Sequence, residues 1–446
     1  MQRILNKCRF IFEILENSGF ECYAVGGCVR DVLLNIEPHD IDITTNATPD
    51  EILECFKSYR TFELGKKFGT ISVMNNNEIY EITTYRIDGK YNDSRHPDKV
   101  EFSRNLKDDL ARRDFTVNAM AMDKNGNIVD IYGGRKDLQN KIIRAVGDPE
   151  ERFTEDALRI FRALRFSCKL NFNIEENTAY AAKKLAYTLK NVHPQRLRDE
   201  LTSLLLTDSA PDVIKEYKEI FFTIIPEFKV CDKFQQITAH HRYDVFTHIL
   251  HTLKYAPIDD EIRFALMFHD IAKPDTHTTD KAGISHFNGH PAKSADIAAE
   301  ILKRFAFPSD FIKKVRLLIK YHDKRFEKPR LHIKRVLSEL TVEDFRKLLI
   351  IQRCDVLAQS EYLKKEKLAH IDFIETELEA VIQEDVCFKL KDLSVNGKDM
   401  MTLGLSGKEI GDILQVLLDN VIEEKLSNNR EELIKFASDY IADIDK

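Results

Sequence analysis

At 446 residues and 43% hydrophobic side chains, the chain is long enough for two to four fully folded domains. A formal charge of −7 excludes a uniformly basic nucleic-acid coat, so an RNA surface has to be local, and the Lys/Arg-dense stretches 86–113 and 135–165 are the places for it. Eight scattered cysteines form no Cys-x-x-Cys pair, and no signal-peptide pattern or long apolar span is evident; the expectation is a reduced cytoplasm, inert thiols and no membrane.

Residues 1–145 mix helices and strands, and β-branched content with alternation predicts strands over 23–25, 40–44, 69–74 and 78–84. Between the first two lies GGCVRD, starting at Gly26-Gly27. A Gly-Gly turn opening a helix lets backbone N–H groups approach a triphosphate, and the helix dipole and Arg30 favour its charge. Asp40-Ile41-Asp42 follows. Residues i and i+2 of a strand share a face, so Asp40 and Asp42 suit Mg2+ and an in-line displacement at phosphorus. Either segment alone reads as an ordinary turn or strand end; in this order they point to nucleotidyl transfer. Glu81, on YEITTYR, is the candidate third carboxylate if its strand lies beside the Asp-x-Asp strand, the alternative being a surface glutamate. Arg112-Arg113-Asp114-Phe115-Thr116 joins two guanidinium groups to a predicted helix start, suited to phosphate or ribose.

From Glu151 onward the apolar spacing is helical, broken at His193-Pro194, around Pro211, at Pro226, across 273–291 and at Pro308. RFTEDALRIFRALRF, 152–166, is predicted as one helix capped by Thr154 and burying Leu158, Phe161 and Leu164. Asp156, Arg159, Arg162 and Arg165 recur every three residues, which puts neighbouring members on one face; a salt-bridged surface is the alternative reading. Cytosine and adenine share an amino donor beside a ring-nitrogen acceptor. An accepting Asp and a donating Arg match that edge and mismatch uracil and guanine, which would select CTP and ATP without a template.

A second constellation begins at His269-Asp270, after the apolar helix IRFALMF. With His248, His290, His322 and Asp355 on predicted helices or their ends, it offers imidazole and carboxylate ligands for one or two divalent metals. Asp323, directly after His322, competes with Asp355 for the last position, and His240, His241, His277 and His286 are read as loop residues. In the tail, Gly404, Ser406, Gly407 and Lys408 precede an amphipathic helix, a geometry suited to a nucleic-acid phosphate or to a capped surface helix.

GGCVRD, DID, ARRDFTVNAMA, DPEERFTEDALRIFRALRF and HPQRLRDEL resemble, in order, the motifs of bacterial class II tRNA nucleotidyltransferases, the CCA-adding enzymes. The resemblance covers roughly the first 205 residues and implies a polymerase-β-like nucleotidyltransferase head; with the helical spacing beyond it, the expected fold is α+β, with a mixed-sheet head (1–145), an all-α neck for base selection (146–207), a second helical domain of HD type by the resemblance given below (234–360) and a helical tail (361–446). It implies Mg2+ at Asp40 and Asp42, nucleotide contacts from Gly27, Arg30, Arg113, Asp156, Arg159, Arg162 and Arg165 beside Gly26, CTP and ATP as substrates, and a tRNA 3' end as acceptor, with no obligatory protein partner. Bacterial poly(A) polymerases share these motifs, so poly(A) or A-only addition is the alternative. Gly69-Thr70 in GKKFGTISV and the lack of a long basic C-terminal extension favour CCA addition, and the loop DGKYNDSRHPDKVEF (88–102) is similar to a flexible element of full CCA enzymes.

FALMFHDIAKP, NGHPAKSADIAAEIL and RCDVLAQ resemble the HD metal-dependent phosphohydrolase superfamily. That resemblance implies a divalent transition metal (Mn, Ni, Co, Fe or Zn) and removal of phosphate, or opening of a 2',3'-cyclic phosphate, at damaged RNA ends; a tRNA scaffold is the other role for such a domain. A reading of a different class is an HD phosphohydrolase whose head only binds RNA. The tail run LGLSGKEIGDILQVLLDNV is similar to the tail motif of related HD-bearing CCA enzymes, implying tRNA contact.

Overall fold

Among the described residues of the first 129, nine strands build the head. β1 (Cys22–Val25), β2 (Asp42–Thr45), β3 (Arg60–Phe62), β4 (Thr70–Asn75) and β5 (Glu78–Thr84) are followed by β6 (Arg86–Asp88), β7 (Val100–Phe102), β8 (Ala121–Met122) and β9 (Ile128–Val129). In this computed structural model, which describes residues 2–38, 40–88, 100–384 and 387–444, seven of them form one sheet in the order β3-β4-β5-β2-β1-β8-β9. β2 and β5 run parallel and every other neighbouring pair is antiparallel, so the sheet is mixed as expected. The alternation that signals β4 and β5 buries Ile71, Val73, Tyr80, Ile82 and Thr84 on one face. Cys8, Ile11, Phe12 and Leu15 on the helix Gln2–Asn17 bury at helical spacing, and that helix packs beside β1.

Asp40 lies outside the strand predicted for it. β2 starts at Asp42, where its partner β1 ends: Val25 pairs with Asp42, and Gly26 then turns away at φ +78°. β6 and β7 pair at the two ends of the loop similar to the flexible element of CCA enzymes; residues 89–99 of that loop lie outside the described residues. Arg112-Arg113 follows the end of a helix, Leu106–Ala111, and the helix start predicted for this segment is a single 3-10 turn, Thr116–Asn118. Asn105 caps the N-terminus of the former, and the two cations sit at the end that the helix dipole favours for them.

The run 152–166 is two helices, Pro149–Glu155 and Leu158–Leu170, not one. Between them Asp156 is extended (φ −140°, ψ 103°), and its carboxylate accepts from the Leu158 N–H at 3.1 Å, the local competition with helix that makes Asp a capping residue. Thr154 does not cap; its hydroxyl donates to the Glu150 carbonyl, and Asp148 caps the first helix instead. Leu158, Phe161 and Leu164 are buried as the spacing predicts. His193 caps the helix Pro194–Leu205, and Pro308 likewise precedes a helix, Ser309–Tyr321, so both predicted breaks are helix starts.

Two compact units, Met1–Pro226 and Glu227–Lys446, divide the chain; the head and the neck helices share the first. The second is helical, with Val245–Leu253, Asp260–Phe268, His290–Arg304, Ser309–Tyr321 and Val342–Ala358 around buried Phe228, Phe264, Phe268, Phe345 and Leu348. The 273–291 break holds a small antiparallel pair, Thr278–Thr279 with Ser285–His286, so His286 is on a strand and not in a loop, its alternating run too short to read as one. A further core of Met400, Ile413, Leu417, Leu418, Leu433 and Ala437 closes the tail. Among the described residues no helix is long and apolar enough to cross a membrane.

Candidate active site and metal centre

β5 lies directly beside β2 with Asp42 opposite Glu81, which brings the third candidate carboxylate to the Asp-x-Asp edge. The Asp42 carboxyl sits above its ordinary range because surrounding protein desolvates it, Arg113 opposing and Asp40 adding to the rise. Glu81 is raised by desolvation and then by Asp42 and Asp40. Three like charges that feel one another, all with hard oxygen donors, fit a cation such as Mg2+. Among the described residues only two His/Asp sets have ligand atoms within 4.8 Å of one another, both in the second unit, so the head carboxylates are neighbours without forming so tight a set.

Gly26 borders this edge. A Cβ there would stand 2.9 Å from Arg113 Nη1 and 3.9 Å from Asp42 Oδ2, and the positive φ already favours glycine, so the turn stays open to a ligand only without a side chain. Arg113 is held by an ion pair to buried Asp109 (3.1 Å), which also takes Arg112 (2.7 Å). Burial would raise the Asp109 carboxyl, but the two guanidinium groups outweigh it and hold it low. Arg30, predicted to face phosphate, is buried: it donates to Asp31 (2.8 Å) and Asn118 (2.7 Å), and its guanidinium lies 5.2 Å from the Phe166 ring. Gly27 is the first residue of that helix, Gly27–Leu33, against the same guanidinium.

The neck arginines converge on few partners. Arg162 donates twice to Asp114 Oδ2 (2.9 and 2.6 Å), and Arg162 and Arg165 both reach Glu200. Burial pushes Asp114 up, yet Arg162 and Asn118 bring its carboxyl down to about 2. Arg159 is bound to Glu155 (2.6 Å) and to the Arg112 carbonyl (2.9 Å). Asp156 takes a two-pronged contact from Arg196, at 3.3 and 2.7 Å. The predicted neck residues therefore do not form one bare row; Asp114, Asn118, Phe166, Arg196 and Glu200 hold them, and reasoning from spacing missed all five.

In the second unit all six predicted ligands meet. His248 Nε2 lies 2.9 Å from Asp355 Oδ1 and 3.4 Å from Asp270 Oδ2, and His269 Nε2 is 3.2 Å from that same oxygen. The other oxygen of Asp270 faces His290 Nε2 at 3.3 Å and His322 Nε2 at 3.7 Å. The Nδ1 atoms of His269, His290 and His322 lie 2.7 to 2.8 Å from the Leu266, Phe287 and Ile319 carbonyls. A carbonyl only accepts, so Nδ1 carries the proton and Nε2 turns a lone pair inward, the preparation a metal-binding imidazole needs. His248 Nε2, His269 Nε2 and Asp355 Oδ1 are buried without a hydrogen bond of acceptable geometry, while Asp270 Oδ2 is paired with the Lys273 ammonium. Such orphaned acceptors are costly unless a cation sits among them. Asp355 takes the last position and Asp323 is exposed. Lys273 (2.7 Å from Asp270), Gln236, His241, Gln359 and Lys367 also line this region; of these the sequence reading named only His241, as a loop residue, which it is.

Residues 22–144 match the family described as the Poly A polymerase head domain, 171–229 the probable RNA and SrmB-binding site of polymerase A, and 285–437 tRNA nucleotidyltransferase domain 2. A CCA-adding enzyme of Lactobacillus helveticus is 50% identical over 194 residues, 44% of this chain and 48% of that protein, so the match spans about half of that relative. The crystal structure of the Bacillus stearothermophilus CCA-adding enzyme in complex with CTP has the same fold, with a TM-score of 0.71 at 24% identity over 100% of this chain and 98% of that one. A CCA-adding enzyme of Staphylococcus haemolyticus is 32% identical over 447 aligned positions, 98% of either chain, and the chain belongs to the CCA-adding enzyme family.

Proposed function

We propose that this chain is a CCA tRNA nucleotidyltransferase, which adds C, C and A to the tRNA 3' end from CTP and ATP. The observation that carries the proposal is the pairing of Asp42 with Glu81 in register, at the edge where Gly26 turns and Arg113 is anchored. Asp40 and Asp42, with Glu81 beside them, are the residues to hold Mg2+. Once bound, that ion supplies charge stabilisation for an in-line displacement of pyrophosphate by a 3' hydroxyl. Arg113 offers a guanidinium to the triphosphate over the open Gly26 turn. Buried Arg30 acts from behind, fixing the start of its helix through Asn118. Asp156, held by Arg196, and Arg159 are the candidates to read the shared edge of cytosine and adenine, while Arg162 and Arg165 keep the neck helix in place through Asp114 and Glu200. Eight free thiols suit a cytoplasmic enzyme.

The full-length likeness to a CCA-adding enzyme favours CCA over poly(A) addition. To test this, tRNA ending at the discriminator base is incubated with one labelled nucleotide at a time. CTP alone should give two additions, ATP alone essentially none, and both together should stop at CCA. Extended A runs, or A addition without C, would refute the assignment.

The orphaned donors in the second unit support an additional reading, a divalent transition-metal centre at His248, His269, Asp270, His290, His322 and Asp355. The mixed imidazole and carboxylate set fits Mn, Ni, Co, Fe or Zn better than Mg2+. Such an ion would supply a Lewis acid for phosphoester hydrolysis. Elemental analysis of the purified protein tests it: stoichiometric metal supports the centre, and none after incubation with all five refutes it.

A further inference from the structure

Four residues from four neighbouring strands stand in one line across the outer face of the head sheet. Phe62 on β3 pairs with Ser72 on β4, Ser72 with Glu81 on β5, and Glu81 with Asp42 on β2. Paired residues project to the same face, so the carboxylates continue, strand by strand, into a hydroxyl and then an aromatic ring. On the opposite face Ile71, Val73 and Ile82 are fully buried, whereas Ser72 and Phe62 are half-buried and Glu81 is exposed. With strands ~4.8 Å apart, Ser72 lies ~5 Å and Phe62 ~10 Å beyond Glu81. The Arg60 guanidinium is 5.2 Å from the Phe62 ring centre, and in the next row Met74 separates Arg60 from Ile79, which is 58% exposed. One row the other way the hydroxyls are already engaged, Thr70 with Thr83 at 3.0 Å and Thr44 with the Thr83 carbonyl at 3.1 Å. Ser72 Oγ has no such partner among the described residues.

The direction of the line follows from the transfer chemistry proposed above, on which this inference rests. In an in-line displacement the attacking and leaving oxygens stand on opposite sides of the phosphorus. Gly26 and Arg113, the triphosphate side, border Asp42 from β1: a Cβ at Gly26 would lie 3.9 Å from Asp42 Oδ2 and 2.9 Å from Arg113 Nη1. Pyrophosphate therefore leaves toward β1, and the 3' hydroxyl attacks from the side of Glu81, its own nucleotide lying over β4 and β3. There a flat ring, a guanidinium and an exposed apolar side chain meet a base through its face, which every base has, and a hydroxyl that donates and accepts suits a ribose hydroxyl. Such a surface tolerates any base, as an acceptor whose last base changes between additions requires. We propose that Phe62, Arg60 and Ser72 form the seat of the acceptor's 3'-terminal nucleotide. The base stacks on Phe62 and Arg60, and Ser72 bonds the 2' hydroxyl of the terminal ribose, which makes the seat a reader of RNA over DNA at the growing end.

The test measures CTP incorporation by the full chain into two tRNA acceptors ending at the discriminator base. One has an ordinary terminal ribose; the other has a terminal 2'-deoxyribose, which keeps the attacking 3' hydroxyl. Wild type should show a kcat/KM ~5-fold lower for the deoxy acceptor, and Ser72→Ala should use both acceptors alike, at the level of wild type with the deoxy one. Phe62→Ala should lower kcat/KM for either acceptor ~10-fold or more with KM for CTP unchanged, and Phe62→Tyr should restore most of it. Arg60→Gln should lower it ~3-fold at low salt. Equal deoxy penalties in wild type and Ser72→Ala, or unaltered acceptor kinetics in Phe62→Ala, would overturn the seat while the transfer reading stands. A raised KM for CTP with unaltered acceptor kinetics would put the line on the incoming-nucleotide side and overturn the seat likewise. Failure of wild type to extend any tRNA would overturn the transfer reading and the seat together. Should Phe62→Ala fail to fold, the Ser72→Ala comparison decides alone, and equal penalties there overturn the seat.

Discussion

Asp114 shows how one buried carboxylate can serve both stability and the neck. Its carboxyl is held at about 2, below its ordinary 3.8, so it binds protons less readily folded than unfolded. That contribution is full above the unfolded value and is lost as pH falls through the folded one, between about pH 4 and pH 2. Asp114→Asn should therefore cost about 2 kcal/mol in urea unfolding at neutral pH and flatten the loss of stability over that acid window; an unaltered acid limb would contradict the ion pair's role. Asp156 makes the complementary case for specificity. Its oxygens are fixed by Arg196 and the Leu158 N–H, leaving the acceptor pre-aimed. Asp156→Ala should shrink the preference for CTP over UTP by ~10-fold or more, and Arg196→Ala should shrink it in the same direction. An unchanged four-way nucleotide preference, with a lower overall rate, would remove Asp156 from base selection.

At the scale of elements, the helix Leu158–Leu170 is bound to the head through Phe166. Its ring has the Arg30, Arg162 and Arg165 guanidinium carbons at 5.2, 5.3 and 4.1 Å and meets Phe115 edge-on at 5.8 Å. Phe166→Ala should cost ~3–5 kcal/mol of stability in the first unit, read by urea unfolding, and a cost under about 1 kcal/mol would show that the ring is not what joins head to neck. The glycine turn and Asp42 were legible in the sequence because their chemistry is local, a positive φ and the first residue of a strand. Glu81 was legible only conditionally, since its value depends on β5 lying next to β2, which no local pattern states. Arg196 and Glu200 stood in a quoted motif, but their partners Asp156 and Arg165 are 40 and 35 residues away, so spacing along one helix could not find them. The helix 152–166 was misread for a related reason: helical periodicity continues across Asp156, whereas the capping contact that breaks it depends on the backbone fold. In the second unit, the six candidate ligands were legible because His269-Asp270, His290 and His322 stand out at the ends of apolar helices, whereas Lys273 and Lys367 read as ordinary lysines.

For the whole molecule, the proposed transfer site falls in Met1–Pro226 and the candidate second metal set in Glu227–Lys446, so the two proposed chemistries should separate by mutation. The His269→Ala, Asp270→Ala double variant should lose transition metal by elemental analysis yet retain CTP and ATP addition within ~3-fold, because distant sites without shared partners act additively. Loss of addition in a folded double variant would show that the second unit is required for transfer. The central claim, that the β1–β2–β5 edge performs nucleotidyl transfer, is tested most directly by CTP incorporation into tRNA by Asp42→Ala, with tRNA affinity measured on the same sample. Removing the carboxylate takes away a cation ligand worth several kcal/mol in the transition state at the first residue of β2, outside the buried core, so incorporation should fall ~10³-fold or more with tRNA affinity nearly unchanged. Near-wild-type CTP incorporation by that variant would contradict the account.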